Sequence, residues 1–280
     1  MKFGVNLLLL GDSVTAAVRE RFQTIRELGF DGVEVPVFAP ATLEVDEIRS
    51  AAEKAGLGLT TSGALPPGAA FYSSDARARK RAVDYVRDSI RVVRELGAPL
   101  ICGPLYKAVG DLDASVPLDK QRSDTAAAMR DLCAEAEAND VRLAFECLNR
   151  FETNLLNTTA QGIEFCRAAA SPAAVLLLDT FHMHIEEKDS GAAITAAARA
   201  GVFGHFHASE NDRGVAGTGQ VHWTRVADAV RDAAYEDWCI LESFNQDNQA
   251  IKTAVSCWRP FFASEDEFMR KGLAFVRELL

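Results

Sequence analysis

Long apolar runs are missing from this 280-residue chain: no stretch approaches the roughly 20 residues that a bilayer-spanning helix needs. Basic residues are in deficit, 30 Lys and Arg against 40 Asp and Glu, which leaves a net charge of −10 and a pI near 5.1. Such a surface offers no electrostatic footprint for a phosphate backbone, so nucleic acid is excluded as a partner. The six cysteines contain no CxxC pair and sit in apolar segments, the pattern of buried thiols rather than of a disulfide framework. No glycine-rich GxGxxG turn follows the first apolar run, where Leu10-Gly11-Asp12-Ser13 stands instead, and this argues against a dinucleotide-binding open sheet. Internal repeats, low-complexity tracts and interdomain linkers are likewise lacking. The N-terminal MKFGVNLLLLGD reads as a first strand rather than a signal peptide, so the expected location is the cytoplasm.

What is present is alternation. Apolar residues make up 48% of the chain, enough for a sizeable core. Short runs suited to buried strands recur near 2–9, 32–37, 57–63, 99–105, 142–148, 174–180, 202–209 and 238–244. Amphipathic segments such as LEVDEIRSAAEKAG and DARARKRAVDYVRDSIRVVRELG separate them, and several stop at a glycine just before the next strand. Eight apolar strands alternating with helices imply a parallel sheet covered by helices, and eight is the number that closes a barrel. The fold class expected is therefore α/β, a (β/α)8 TIM barrel forming a single domain over residues 1–280. The irregular stretch from Lys107 to Asp119 is expected to cover one rim.

Active sites of such barrels lie at the C-terminal ends of the strands. The fifth strand ends LAFE at Glu146, the sixth LLLD at Asp179, the seventh GHFH at His207 and the eighth CILE at Glu242. One acid at a strand end is most often a helix cap. Four metal-competent side chains on four successive strands are hard to obtain that way, and they read as one metal site. Alternation puts His205 on the same face as His207 but one layer deeper. Three carboxylates and one imidazole suit Mn²⁺, Mg²⁺ or Co²⁺ better than a thiolate-seeking ion, although the set also admits Zn²⁺. Glu152, His182 and Arg213 fall in loops just beyond these strands. His184 and His222 receive no role.

A divalent ion beside paired carboxylates suits proton abstraction next to a carbonyl through an enediolate. Glu146 and Glu242 are the natural pair to remove and return that proton. The segments ECLNRFET, LLLDTFHMHIEE, GHFHASENDR, GTGQVHW and LESF, with IRELGFDGVEVPV and ICGPLYKAVG, resemble the D-tagatose/D-psicose (ketose) 3-epimerase group of the xylose-isomerase-like sugar isomerase/epimerase superfamily. The resemblance implies C3 epimerisation of a free ketose, a Mn²⁺-type ion on Glu146, Asp179, His207 and Glu242, and catalytic roles for Glu146 and Glu242. It also implies that Glu152, His182 and Arg213 hold the carbonyl end of the sugar. A homodimer or homotetramer is the family expectation, with a small sugar and no membrane as partner. Leu7–Leu10 stand where that group carries aromatic residues, so the rest of the substrate is read differently. An alternative within the same chemistry is a lyase or isomerase acting on 3-keto sugars, as in C-glycoside deglycosidases. A metal-dependent phosphodiester hydrolase is the least favoured reading, since it wants more histidines and a basic face.

Overall fold

The structure, a computed structural model, describes residues 1–280 apart from the side chain of Ala250. Eight parallel strands close into one barrel in sequence order, β1 (Lys2–Asn6), β2 (Gly32–Pro36), β3 (Gly58–Ser62), β4 (Leu100–Gly103), β5 (Arg142–Glu146), β6 (Ala174–Asp179), β7 (Phe203–Ala208) and β8 (Trp238–Leu241). β8 pairs back onto β1, so no sheet edge is left unpaired. Each strand falls inside the run read from the sequence. The first is shorter than expected because Leu7–Leu9 leave it as a 3-10 turn, with the Asn6 side chain accepting from the Leu8 N–H.

Eleven α-helices surround the barrel. The first six are α1 (Ala16–Glu20), α2 (Phe22–Glu27), α3 (Val45–Ala55), α4 (Ala76–Leu96), α5 (Leu118–Ala138) and α6 (Thr159–Ala169). They are followed by α7 (Thr180–Glu186), α8 (Ser190–Arg199), α9 (Trp223–Asp232), α10 (Gln249–Ala254) and α11 (Glu265–Leu279). Local chemistry sets their ends. Thr158 and Gln161 form a reciprocal capping box at the start of α6, while Gly56 and Gly97 close α3 and α4 in the left-handed conformation. The sequence patterns did not disclose α7, α8 or α10. In α8 the segment SGAAITAAAR starts on Asp189, whose carboxylate accepts from the Ala192 N–H.

The main core lies between the sheet and the helices. Inside the barrel a smaller apolar layer is formed by Leu100, Cys102, Ala144, Val175 and Leu177. The Trp238 ring occupies the space left by Gly32 and Gly58, where an added Cβ would sit 2.5 and 2.8 Å from it. The barrel floor is therefore filled, and the open end is the one bearing the C-terminal ends of the strands. All six cysteines are free and buried, as their placement in apolar runs implies. No helix among the described residues is long and apolar enough to cross a membrane.

A candidate metal centre at the open end of the barrel

Strand register explains why residues at different strand positions meet. Asp179 pairs with His207, Glu146 pairs with Leu177 two residues before Asp179, and His207 pairs with Ile240 two residues before Glu242. Each offset is a multiple of two, so all four side chains face inward while the stagger of the barrel brings them to one height. Glu146, Asp179, His207 and Glu242 each offer a ligand atom within 4.8 Å of the others, and all four are buried. His207 Nδ1 lies 3.3 Å from Glu242 Oε1 and 3.7 Å from Asp179 Oδ2. That nitrogen is buried and has no hydrogen-bond partner among the described residues. An orphan imidazole nitrogen amid three carboxylates is what a divalent cation would satisfy, and hard oxygen donors favour Mn²⁺, Mg²⁺ or Co²⁺. The donor set fits the ion.

The ring members are not equivalent. Burial pushes the Glu146 carboxyl above the ordinary range, only partly opposed by the nearby His182 ring, and Glu242 and Asp179 push it further in the same direction. For Asp179 burial also raises proton affinity, but the Arg213 guanidinium and His207 outweigh it and hold the group well below the usual carboxylate range. Asp179 serves two ends at once. One oxygen accepts from the Phe181 N–H at 2.6 Å and caps α7, and the other accepts from Ser209 Oγ and Arg213 Nη1, both at 3.0 Å.

This cap corrects the placement of His182. It stands within α7 rather than in a loop, because the helix starts directly on Asp179. Its Nδ1 accepts from the Asn149 N–H at 3.0 Å, which aims Nε2 at Glu146 Oε1, 3.4 Å away. Glu152, half-buried, accepts from Asn149 Nδ2 at 2.7 Å. Arg213 reaches the ring itself, with Nη1 at 2.8 Å from Glu242 Oε2, and its guanidinium lies over Phe181 at 3.9 Å and Phe244 at 5.0 Å. Its backbone adopts φ 64, a conformation side-chain-bearing residues adopt rarely, and Ser243 Oγ donates to its carbonyl at 2.7 Å.

These groups open onto a cavity of about 660 Å³. Glu146, Glu152, His182, His207, Arg213 and Glu242 line one end, whereas Asp179 lies beneath Arg213. The rest of the lining is mainly apolar, with Leu8, Phe38, Leu65, Val109, Phe244, Ile251 and Val255 among it. Ala108, Val109 and Gly110 bring the 107–119 segment onto the rim, as expected. Lys107 anchors that segment from within, donating to Asn154 at 2.7 Å and Gln121 at 2.9 Å. His184 is half-buried in α7, and His222 is exposed ahead of α9 without capping it.

Sequence patterns missed three groups. Glu34 in β2 and Asn6 at the end of β1 are fully buried inside the barrel beneath the ring, yet in the sequence they are lone polar residues in apolar runs. Asn6 Nδ2 donates at 3.0 Å to both Glu34 and Glu242. Cys102 also faces inward, its Sγ 3.7 Å from His207 Nε2. The third group is Glu210, whose two oxygens accept from the N–H groups of Asn211, Gly217 and Val221 and from the Trp223 indole. Four donors on one carboxylate pin the loop that carries Arg213.

Burial disfavours ionised Glu210, but the Trp223 indole and the three backbone N–H groups outweigh it and lower its pKa. Its stabilisation is then fully present above pH 4.5 and is lost as the pH falls through the lowered folded value. Glu210→Gln turns an amide NH₂ toward two of those donors and is expected to cost roughly 3 kcal/mol. Thermal melts should show the deficit at pH 7 and a narrowing gap from wild type below pH 4.5; equal melting temperatures at pH 7 would refute this.

The chain matches the family described as xylose isomerase-like TIM barrel over residues 22–277. It is 35% identical to L-ribulose 3-epimerase of Mesorhizobium japonicum over 94% of this chain and 90% of the relative. A probable ketose 3-epimerase of Synechocystis is 31% identical over 99% of this chain and 96% of the relative. Among solved structures, D-allulose 3-epimerase from Methylomonas in complex with D-allulose superposes with a TM-score of 0.94 at 26% identity, covering 100% of this chain and 97% of that one. Fold and full-length similarity agree: the chain belongs to the xylose isomerase-like TIM-barrel family, the relatives named here are ketose 3-epimerases, and it is an enzyme of the isomerase class.

Proposed function

We propose that the enzyme is a metal-dependent ketose 3-epimerase in which Glu146, Asp179, His207 and Glu242 hold a divalent ion, Mn²⁺ by preference. The observation that carries this reading is the pairing of Glu146 and Glu242 in one buried ring with an orphan His207 nitrogen. The ion, when bound, supplies Lewis acidity that makes the carbon-bound proton next to a carbonyl removable. Glu146, with its raised proton affinity, takes the C3 proton from one face of the sugar, and Glu242 delivers a proton to the other. Arg213 and Asn6 fix Glu242 by its two oxygens, and His182 orients Glu146. Together with Glu152, Arg213 and His182 offer the hydrogen bonds that hold the carbonyl end. The mainly apolar lining lowers the polarity around the carbon acid.

Turnover of a ketose panel in deuterated water tests this. We expect deuterium at C3 alone, in both epimers; label at another carbon, or no turnover of any ketose, would remove the assignment. A second reading is favoured by one observation, the predominance of apolar side chains in the cavity lining, which suits a 3-keto glycoside with an apolar aglycone better than bare hydroxyls. Release of aglycone from such compounds without epimerisation of free ketoses would select it. In solution we expect a dimer or tetramer. Phe151 and Trp258, 73% and 67% exposed beyond the ends of β5 and β8, are candidates for cover by a second copy.

A further inference from the structure

Beneath the ring lies a second buried group, Glu34, Cys102, His205 and His207, whose potential ligand atoms also fall within 4.8 Å of one another. The hydrogen bonds around Glu34 fix what this group can do. Glu34 Oε1 faces His207 Nε2 at 2.8 Å and Asn6 Nδ2 at 3.0 Å. Its Oε2 faces His205 Nε2 at 2.7 Å and Thr60 Oγ at 3.0 Å. An ionised carboxylate has about four acceptor sites and no proton to give, so all four neighbours must donate. Both imidazoles then carry a proton on Nε2. The atoms left over, Nδ1 of His205 and of His207, are the two buried imidazole nitrogens without a partner among the described residues. With its lone pairs so engaged, Glu34 has none free for an ion of its own.

We infer that Glu34 is the positioning residue of the metal centre: it holds His207 as the Nε2–H form and so turns the Nδ1 lone pair into the ring. The inference rests on the metal-dependent reading proposed above. A charged acceptor behind a ligating imidazole fixes ring orientation and raises donor strength, and its loss typically weakens metal affinity 10–100-fold. His205 keeps Glu34 in place from below. Asn6 ties Glu34 to Glu242, so the support reaches two ring members through one carboxylate.

The test is Mn²⁺ titration by calorimetry of wild type, Glu34→Gln and Thr60→Val. The glutamine keeps the volume but offers a neutral acceptor to one imidazole and an NH₂ to the other, and should bind Mn²⁺ at least tenfold more weakly. Thr60→Val removes a donor to Glu34 that touches neither imidazole and should stay within about threefold of wild type. Should Glu34→Gln not fold, nitrogen-15 spectra of the zinc-loaded wild type decide instead. They should show His207 protonated at Nε2 and coordinated through Nδ1. Glu34→Gln binding within threefold of wild type, coordination through Nε2, or two zinc ions per chain would each overturn the inference and leave the proposed function standing. A wild type that binds no divalent ion would instead remove the reading on which it rests.

Discussion

Glu146→Gln and Glu242→Gln should each lower C3 epimerisation by roughly 10³-fold or more while the barrel stays folded. The amide preserves shape and one ligand oxygen but cannot accept a proton from carbon. Glu146 is the gentler substitution for the fold, because its surroundings already favour the uncharged acid. Glu242 differs: Asn6 Nδ2 donates to one oxygen and Arg213 Nη1 to the other, so a glutamine NH₂ must face a donor whichever way it turns. Glu242→Gln should therefore also lose about 1–2 kcal/mol of stability. The two variants part in a second way. If each glutamate serves one face, each variant keeps solvent exchange at C3 for only one of the two epimers. Proton nuclear magnetic resonance of both epimers in deuterated water reads this directly. Epimerisation in either variant above about 1% of wild type would defeat the two-base scheme.

The ring was legible because a parallel barrel translates sequence into position with few free parameters. Runs such as LLLD and CILE announce buried strands, and a strand's last inward residue must reach the open rim. Asp179 shows that a strand-end acid can cap a helix and still stand in the buried ring, since one oxygen caps α7 while the residue joins the other three. The interior support was not legible. Glu34 sits in GVEVP, where one acid in an apolar strand gives no hint of its partners, and those partners come from β1, β3 and β7. Contacts so distant along the chain leave no periodicity to read. Helix α7 was hidden for a related reason: it begins without a turn, on the residue that ends β6.

Removal of divalent metal by a chelator should take activity below about 1% of the loaded enzyme, and Mn²⁺ should restore it more fully than Zn²⁺. The physical reason lies in charge density. Three carboxylates and an imidazole share one buried volume, and Arg213 is the only arginine or lysine within ion-pair distance of them among the described residues. Two like charges 4 Å apart repel by about 4 kcal/mol at an effective dielectric of 20, so the metal-free ring is strained unless protons or a cation enter. A cation that binds only the folded chain then also stabilises the barrel, by about 2.7 kcal/mol at a hundredfold excess over its Kd. For a chain of this length that corresponds to a rise in melting temperature of roughly 5 °C. Replacing Asp179 by Asn should abolish most of that rise, because Asp179 is held ionised by Arg213 and His207 and so contributes a full charge to the ion. Calorimetry with and without Mn²⁺ on both proteins measures the difference. Equal melting temperatures in the wild type, with no ion retained after dialysis, would show that these four side chains are an ion-pair network and not a metal centre.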